Sequence, residues 1–135
     1  HQGLAVYFDT SGSLSAFRPY ELRIADVLRE YLPLQLYVFA DTVVEVSREA
    51  FAAGHYPQGY GTSFEALLEH FAGLPEEAAV VFTDGESSCA ADWGDRLRVA
   101  GKRLYVVYLA GWREQGIGSP LDQFATDRAV LTLPR

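Results

Sequence analysis

Short apolar runs that alternate with segments of helical periodicity constrain the fold of this chain most strongly. Leu4–Phe8, Ala78–Phe82 and Leu104–Leu109 are dominated by apolar residues, as is Leu34–Ala40, and such runs are typical of strands buried on both faces. Helix-period segments separate them, which indicates right-handed crossovers between parallel strands. We therefore expect an α/β fold with a mostly parallel central sheet.

The remaining elements follow from spacing and from helix and turn signals. After Leu34–Ala40, the two residues Asp41-Thr42 allow only a hairpin, which makes Val43–Val46 an antiparallel edge strand. Thr62 is interpreted as the N-cap of a helix. Further helices are predicted over Ala90–Gly101 and Pro120–Ala125, and a last strand over Val130–Leu133. Two apolar helix faces support the first two helices: Leu22, Ala25, Val27, Leu28, Tyr31 and Leu32, ended by Pro33, and then Phe64, Leu67, Leu68 and Phe71.

Composition narrows the class of protein. The chain has 135 residues, 49% hydrophobic and 21% charged, which predicts one folded domain over residues 1–135. Its net charge of −7 and scattered basic residues argue against direct nucleic-acid binding.

No apolar run reaches the length of a membrane span. The single cysteine, Cys89, forms no internal disulfide and favours the cytoplasm. Because the chain begins with His1 and lacks methionine, we expect it to be part of a longer protein; its oligomeric state stays open.

Oxygen-bearing side chains follow two of the predicted strands. Asp9, Ser11 and Ser13 come directly after the first strand, and Asp84 follows the strand Ala78–Phe82. Thr62 stands at the start of a helix, after a glycine-containing loop. Because the carboxyl ends of parallel strands share one edge of a sheet, we expect these five side chains to meet there. Two carboxylates and three hydroxyls are hard ligands that suit Mg²⁺ or Mn²⁺.

Each of these residues also has a simpler interpretation. Ser11 and Ser13 fit helix capping or a turn, Thr62 fits a helix cap, and Asp84 fits a strand-end turn. Those interpretations leave Asp9 and Asp84 as neighbouring carboxylates without a counter-charge, which is costly. The combined pattern therefore favours a cation site.

Three motifs follow one another along the chain: Asp9-x-Ser11-x-Ser13, Gly61-Thr62 and Thr83-Asp84-Gly85. In this order they resemble the motifs of the von Willebrand factor A domain family, in particular those of its compact intracellular bacterial members. The resemblance covers almost the whole chain and implies a Rossmann-like, three-layer α/β/α fold with one antiparallel edge strand. It also implies a metal-ion-dependent adhesion site made by the five residues. In such a site Mg²⁺ or Mn²⁺ binds a carboxylate supplied by a partner protein.

Three functions compete at this stage. The leading hypothesis is a metal-dependent protein-binding module without catalytic residues. A Mg²⁺-dependent phosphoryl-transfer enzyme is the second, but Ser11 stands where Asp-nucleophile phosphatases carry a second Asp, and Lys102, the only lysine, precedes a strand at the opposite edge. The third is a module of a larger ribonucleoprotein, ATPase-linked or peptidase-like assembly, which the sequence does not distinguish from the first.

Overall fold

The computed structural model describes residues 4–59, 61–85, 92–110 and 119–132, without the side chains of residues 13–15, 110 and 120. Within these ranges, strands and helices alternate as the sequence predicts. The strands are β1 (Leu4–Asp9), β2 (Gln35–Phe39), β3 (Val43–Ser47), β4 (Ala78–Thr83), β5 (Arg103–Ala110) and β6 (Asp127–Thr132). The helices are α1 (Arg18–Val27), α2 (Arg48–Ala52), α3 (Phe64–Ala72) and α4 (Trp93–Val99), with 3-10 helices at Gly12–Phe17 and Pro120–Gln123.

The six strands form one sheet in the order β3-β2-β1-β4-β5-β6. Only β3 runs antiparallel to its neighbour, and Phe39 pairs with Val43 across that hairpin. All other neighbours are parallel, and Phe8 of β1 pairs with Phe82 of β4. The mostly parallel α/β sheet with one antiparallel edge strand is therefore confirmed.

Side chains of the central strands alternate between two apolar layers. Tyr7 points into the layer packed by α3 and α4, and Phe8 points into the layer packed by α1 and α2. Both side chains are fully buried, which explains why the run Leu4–Phe8 is apolar without alternation. Helices thus cover both faces of the sheet. An open apolar groove of about 570 Å³ remains between α1 and the strands β5 and β6.

Several elements differ from the expectation. Helix α1 ends at Val27 rather than just before Pro33, and in the turns that follow it the Arg48 guanidinium donates to the carbonyl oxygens of Arg29 and Leu32 at 2.9 and 3.1 Å. As a result Tyr31, assigned to the buried helix face, is 73% exposed.

Helix α2 was not predicted, although Ser47 is a residue type typical of a helix N-cap. The Ser47 hydroxyl accepts the N–H of Ala50 at 3.0 Å and caps this short helix. The final strand begins at Asp127, earlier than the predicted Val130. In the ranges given above, none of the helices has the length and hydropathy that crossing a bilayer requires.

Candidate metal centre

The two predicted carboxylates lie at the ends of neighbouring central strands. Asp9 is the last residue of β1, and Asp84 directly follows β4. Because the two strands are parallel and paired, both ends reach the same edge of the sheet. Asp9 is fully buried, and Asp84 is 7% exposed. The structure thus brings together the acidic residues that the sequence assigns to one site.

Both carboxylate oxygens of Asp9 accept hydrogen bonds. Ser11 donates its backbone N–H to Oδ1 at 2.9 Å and its hydroxyl to the same oxygen at 2.6 Å. Thr83 donates its hydroxyl to Oδ2 at 2.6 Å, and its oxygen accepts the Gly85 N–H at 3.1 Å. A hydroxyl that donates its proton keeps lone pairs for a cation. This donor set therefore fits a hard divalent ion.

The electrostatics of Asp9 also favour a cation. Burial raises the pKa of Asp9 from 3.8 to about 6. The hydrogen bonds from Ser11 and Thr83 lower the pKa, and the charge of Asp84 raises it. Within the described part of the chain, no basic residue is among the groups that set this pKa. A buried carboxylate next to a second carboxylate is costly, and a bound positive ion would lower that cost.

The loop that carries Thr62 is held against the same edge. Gly59 donates its N–H to the Thr10 carbonyl oxygen at 3.3 Å, and Ser63 donates to that of Ala40 at 2.7 Å. A Cβ at Gly59 would lie 2.3 Å from the Ala40 Cβ, so this close approach needs glycine. Thr62 is half-buried between these two anchors. The structure therefore places the Thr62 segment beside the turn that follows β1.

The expectation that Thr62 caps α3 is wrong. Ser63 is the N-cap, because its backbone is extended and its hydroxyl accepts the N–H of Ala66 at 3.1 Å. Helix capping therefore does not explain a hydroxyl at Thr62. Ser13 lies in the 3-10 helix Gly12–Phe17, but its side chain is outside the described part of the structure. Its role as a ligand stays a prediction.

The turn after Asp84 is fixed by contacts from the other side of the sheet edge. Gly85 has a φ of +79°, and a Cβ there would lie 2.8 Å from Cε1 of Tyr108. Its carbonyl oxygen accepts the Ser119 hydroxyl at 2.9 Å. Ser119 also forms a capping box with Asp122. These contacts leave little freedom to the backbone beside Asp84.

A stack of four aromatic rings supports the site from the interior. Tyr56 stacks on Phe51, Phe51 on Phe8 and Phe8 on Phe82, with ring centres 4.7, 4.3 and 4.6 Å apart. Phe8 immediately precedes Asp9 in the chain, and Phe82 lies two residues before the second carboxylate. The stack therefore joins both strands of the site to the loop after α2.

Thr83, which orients Asp9, was not predicted as a site residue. Thr83 extends the register in which Phe8 pairs with Phe82, so it stands opposite Asp9 on the neighbouring strand. Its position just before Asp84 is the signal that points to it. The described residues contain no group of three or more His, Cys, Asp or Glu side chains able to hold a metal ion. A site here thus depends on hydroxyl ligands beside its two carboxylates.

No model of a known protein family matches the sequence, and no curated protein matches it. Among solved structures, the chain is similar to the crystal structure of an aerotolerance-related membrane protein from Bacteroides fragilis NCTC 9343 with multiple mutations to serines. The TM-score is 0.61 at 18% sequence identity, over 80% of this chain and 67% of the other. At this identity the likeness shows the fold alone. It confirms the α/β fold, which is the one that the resemblance to von Willebrand factor A domains implies.

Proposed function

We propose that this domain binds Mg²⁺ or Mn²⁺ and, through the ion, an acidic residue of a partner protein. Its ligands would be Asp9, Ser11, Ser13, Thr62 and Asp84. The observation that carries the proposal is the Asp9 carboxylate, which is fully buried, oriented by hydroxyls at 2.6 Å and close enough to Asp84 to feel its charge. Hard oxygen ligands of this kind suit these two ions.

The charge of the ligand set supports a carboxylate as the partner's contribution. Asp9 and Asp84 together carry two negative charges, and the hydroxyl ligands are neutral. A bound divalent ion supplies Lewis acidity toward one more oxygen ligand, for which a carboxylate is a strong candidate. Gly12 and Gly61 flank the ligand segments and are exposed. Neither carries a side chain that would hinder the approach of a partner.

The geometry supports binding rather than phosphoryl transfer. Both oxygens of Asp9 already accept hydrogen bonds, which spreads the negative charge that a nucleophile would need. Ser11, two residues further along, donates to Asp9 and lacks the titratable group of a general acid. We therefore assign Asp9 to ion binding and propose no catalytic residue.

We further propose that the module works as a protein-binding scaffold in a bacterial cytoplasm. It would act inside a larger protein or an ATPase-linked, ribonucleoprotein or peptidase-like assembly. The single cysteine supports a reducing compartment, and the similar fold from Bacteroides fragilis supports a bacterial setting. That protein is described as a membrane protein, so fractionation of cells that produce the native protein is the direct test of location.

Titration of the purified domain with Mn²⁺ and Mg²⁺ tests the first half of the proposal. At an ion concentration of 100 times Kd, bound ion should stabilise the fold by about 2.7 kcal/mol and raise Tm accordingly. Asp9→Asn should abolish this rise. Asp26→Asn, which removes an exposed carboxylate from α1, is the control and should keep it. A wild-type Tm that does not respond to either ion contradicts the proposal.

Paired peptides test the second half. Immobilised peptides with one Glu as the only acidic residue are compared with the same peptides carrying Gln. Binding should require both the Glu and the ion, and EDTA should abolish it. Equal binding of Glu and Gln peptides, or binding that survives EDTA, rules out recognition of a carboxylate through the metal.

A further inference from the structure

Glu21 is a buried acidic residue that the packing of the fold does not explain. It lies in the first turn of α1 and is only 1% exposed. One turn later Ala25 belongs to the apolar layer that contains Phe8. In the described part of the structure, Oε2 of Glu21 has no hydrogen-bond partner. A carboxyl group in this position is costly unless something else interacts with it.

The charges around Glu21 belong to the candidate metal centre. Asp9 and Asp84 both lie within electrostatic range, and with burial, the larger cause, they raise the pKa of Glu21 well above its usual range. Tyr56 lies in the loop that leads to Thr62, and after burial the charge of Glu21 also raises its pKa. The packing agrees, because Ala25 of the same helix face lies in one cluster with Phe8, the residue before Asp9, and Tyr56 stacks through Phe51 onto Phe8.

Arg18 is a basic residue whose charge acts on Glu21, and it has other contacts. Its guanidinium donates to the Gly54 carbonyl oxygen at 3.0 Å and lies 5.1 Å from the centre of the Tyr56 ring. Its charge lowers the pKa of Glu21, but less than burial and the two aspartates raise it. Arg18 therefore compensates the buried carboxyl only in part.

Glu21 is not positioned as a direct ligand. The described residues include Glu21, Asp9 and Asp84, and they contain no group of three such side chains able to hold one ion. An effect of Glu21 on a bound ion must therefore come from outside the ligand set. Hydrated Mg²⁺ and Mn²⁺ usually keep several waters, which are donors for an acceptor such as Oε2.

We propose that Glu21 is a third carboxylate of the cation centre, a positioning residue that strengthens ion binding from outside the ligand set. This inference rests on the metal site proposed above and extends it to helix α1. It explains why a buried acidic residue lies beside an apolar layer with one oxygen unpartnered. Removing groups of this kind lowers metal affinity about 10–100-fold in other metal sites.

Mn²⁺ affinity measured from the EPR signal of the free ion tests the inference. Glu21→Gln keeps the size of the side chain and should weaken Mn²⁺ binding about 10-fold or more. Asp26→Asn removes a carboxylate from the exposed side of the same helix and should change affinity less than twofold. Ala25→Gly loosens α1 without changing charge, so it reports any effect of stability alone and should also leave affinity within twofold.

The outcomes separate this inference from the proposed function. If the wild type binds Mn²⁺ and Glu21→Gln binds it equally well, Glu21 has no role at the ion, while the proposed metal site stands. If the wild type does not bind Mn²⁺, both fail. If Ala25→Gly weakens binding as much as Glu21→Gln, the effect is structural and the inference is overturned.

A second variant covers the case in which Glu21→Gln does not fold. Glu21→Asp keeps the charge but withdraws the carboxylate by one methylene group, and we expect weaker Mn²⁺ binding than in the wild type. Relaxation of water protons by bound Mn²⁺ should differ between this variant and the wild type, because the hydration of the ion changes. Unchanged affinity together with unchanged relaxation overturns the inference.

Discussion

Replacing Asp9 by Asn should stabilise the metal-free domain at neutral pH while abolishing its affinity for Mn²⁺. Burial raises the pKa of Asp9 from 3.8 to about 6. A pKa change of one pH unit corresponds to about 1.4 kcal/mol, so this difference lowers the free energy of unfolding of the ionised, metal-free protein by about 3 kcal/mol. The amide of Asn carries no charge and accepts the same hydrogen bonds from Ser11. Most of that cost should therefore disappear in the variant.

The sign of the pH dependence follows from the direction of the shift. Because the pKa of Asp9 is higher in the folded state, the folded state holds the proton more tightly between about pH 4 and 6. The cost is absent below that window, grows as the pH rises through it and is complete above it. The wild type should thus lose about 3 kcal/mol relative to Asp9→Asn between pH 4 and 7.

Urea unfolding followed by circular dichroism, in buffers freed of divalent ions, measures this difference. The comparison between the two proteins removes the pH dependence of groups that both retain and that do not interact with Asp9; Glu21, whose pKa Asp9 raises, is not among them. Two results would refute the reasoning. One is a difference in unfolding free energy that does not change from pH 4 to 7, and the other is an Asp9→Asn variant that becomes relatively less stable as the pH rises.

Three further substitutions test the parts that hold the site. Thr83→Val removes the hydroxyl that orients the buried carboxylate at the end of β1, and Mn²⁺ titration should show about 10-fold weaker binding; unchanged affinity contradicts this role. Gly85 combines a positive φ with a close contact for any Cβ, so Gly85→Ala should lower the free energy of unfolding in urea by roughly 3 kcal/mol. Gly101 has the positive φ alone, so Gly101→Ala should lower it by about 1 kcal/mol. Gly59→Ala should displace the loop that carries the threonine ligand and weaken Mn²⁺ binding, whereas Gly61→Ala, with open space around it, should not.

The positions and parallel direction of the central strands can be predicted from the sequence because each strand is buried on both faces. Tyr7 and Phe8 enter opposite apolar layers, so the run that contains them shows no alternation and predicts a central parallel strand. The end of α1 is not readable in this way. Beyond Val27 the chain continues in turns, and two carbonyl oxygens there accept hydrogen bonds from the guanidinium of Arg48, which belongs to α2. Such a contact exists only once the fold has formed.

The same distinction applies to the site. Asp9 and Asp84 are predictable as neighbours because each follows a strand of one parallel sheet. The role of Thr83 depends on strand register, which fixes it opposite Asp9. Glu21 is the extreme case, since an acidic residue on an amphipathic helix normally indicates an exposed face. Its burial follows from how α1 lies on the sheet, since helical spacing puts it on the same face as buried Ala25.

The hydrogen bonds that orient Asp9 also join the strands that carry the site. The Gly85 N–H donates to the Thr83 hydroxyl, which donates to Asp9 of the neighbouring strand, and Ser11 donates to the other oxygen. Beneath them the rings of Phe8 and Phe82 stack at 4.6 Å. The carboxylate is thus held in place by the protein's own hydrogen bonds, above buried aromatic rings. A bound positive charge would stabilise such a rigid site without a change in its shape. This supports the proposed ion site over a flexible catalytic loop.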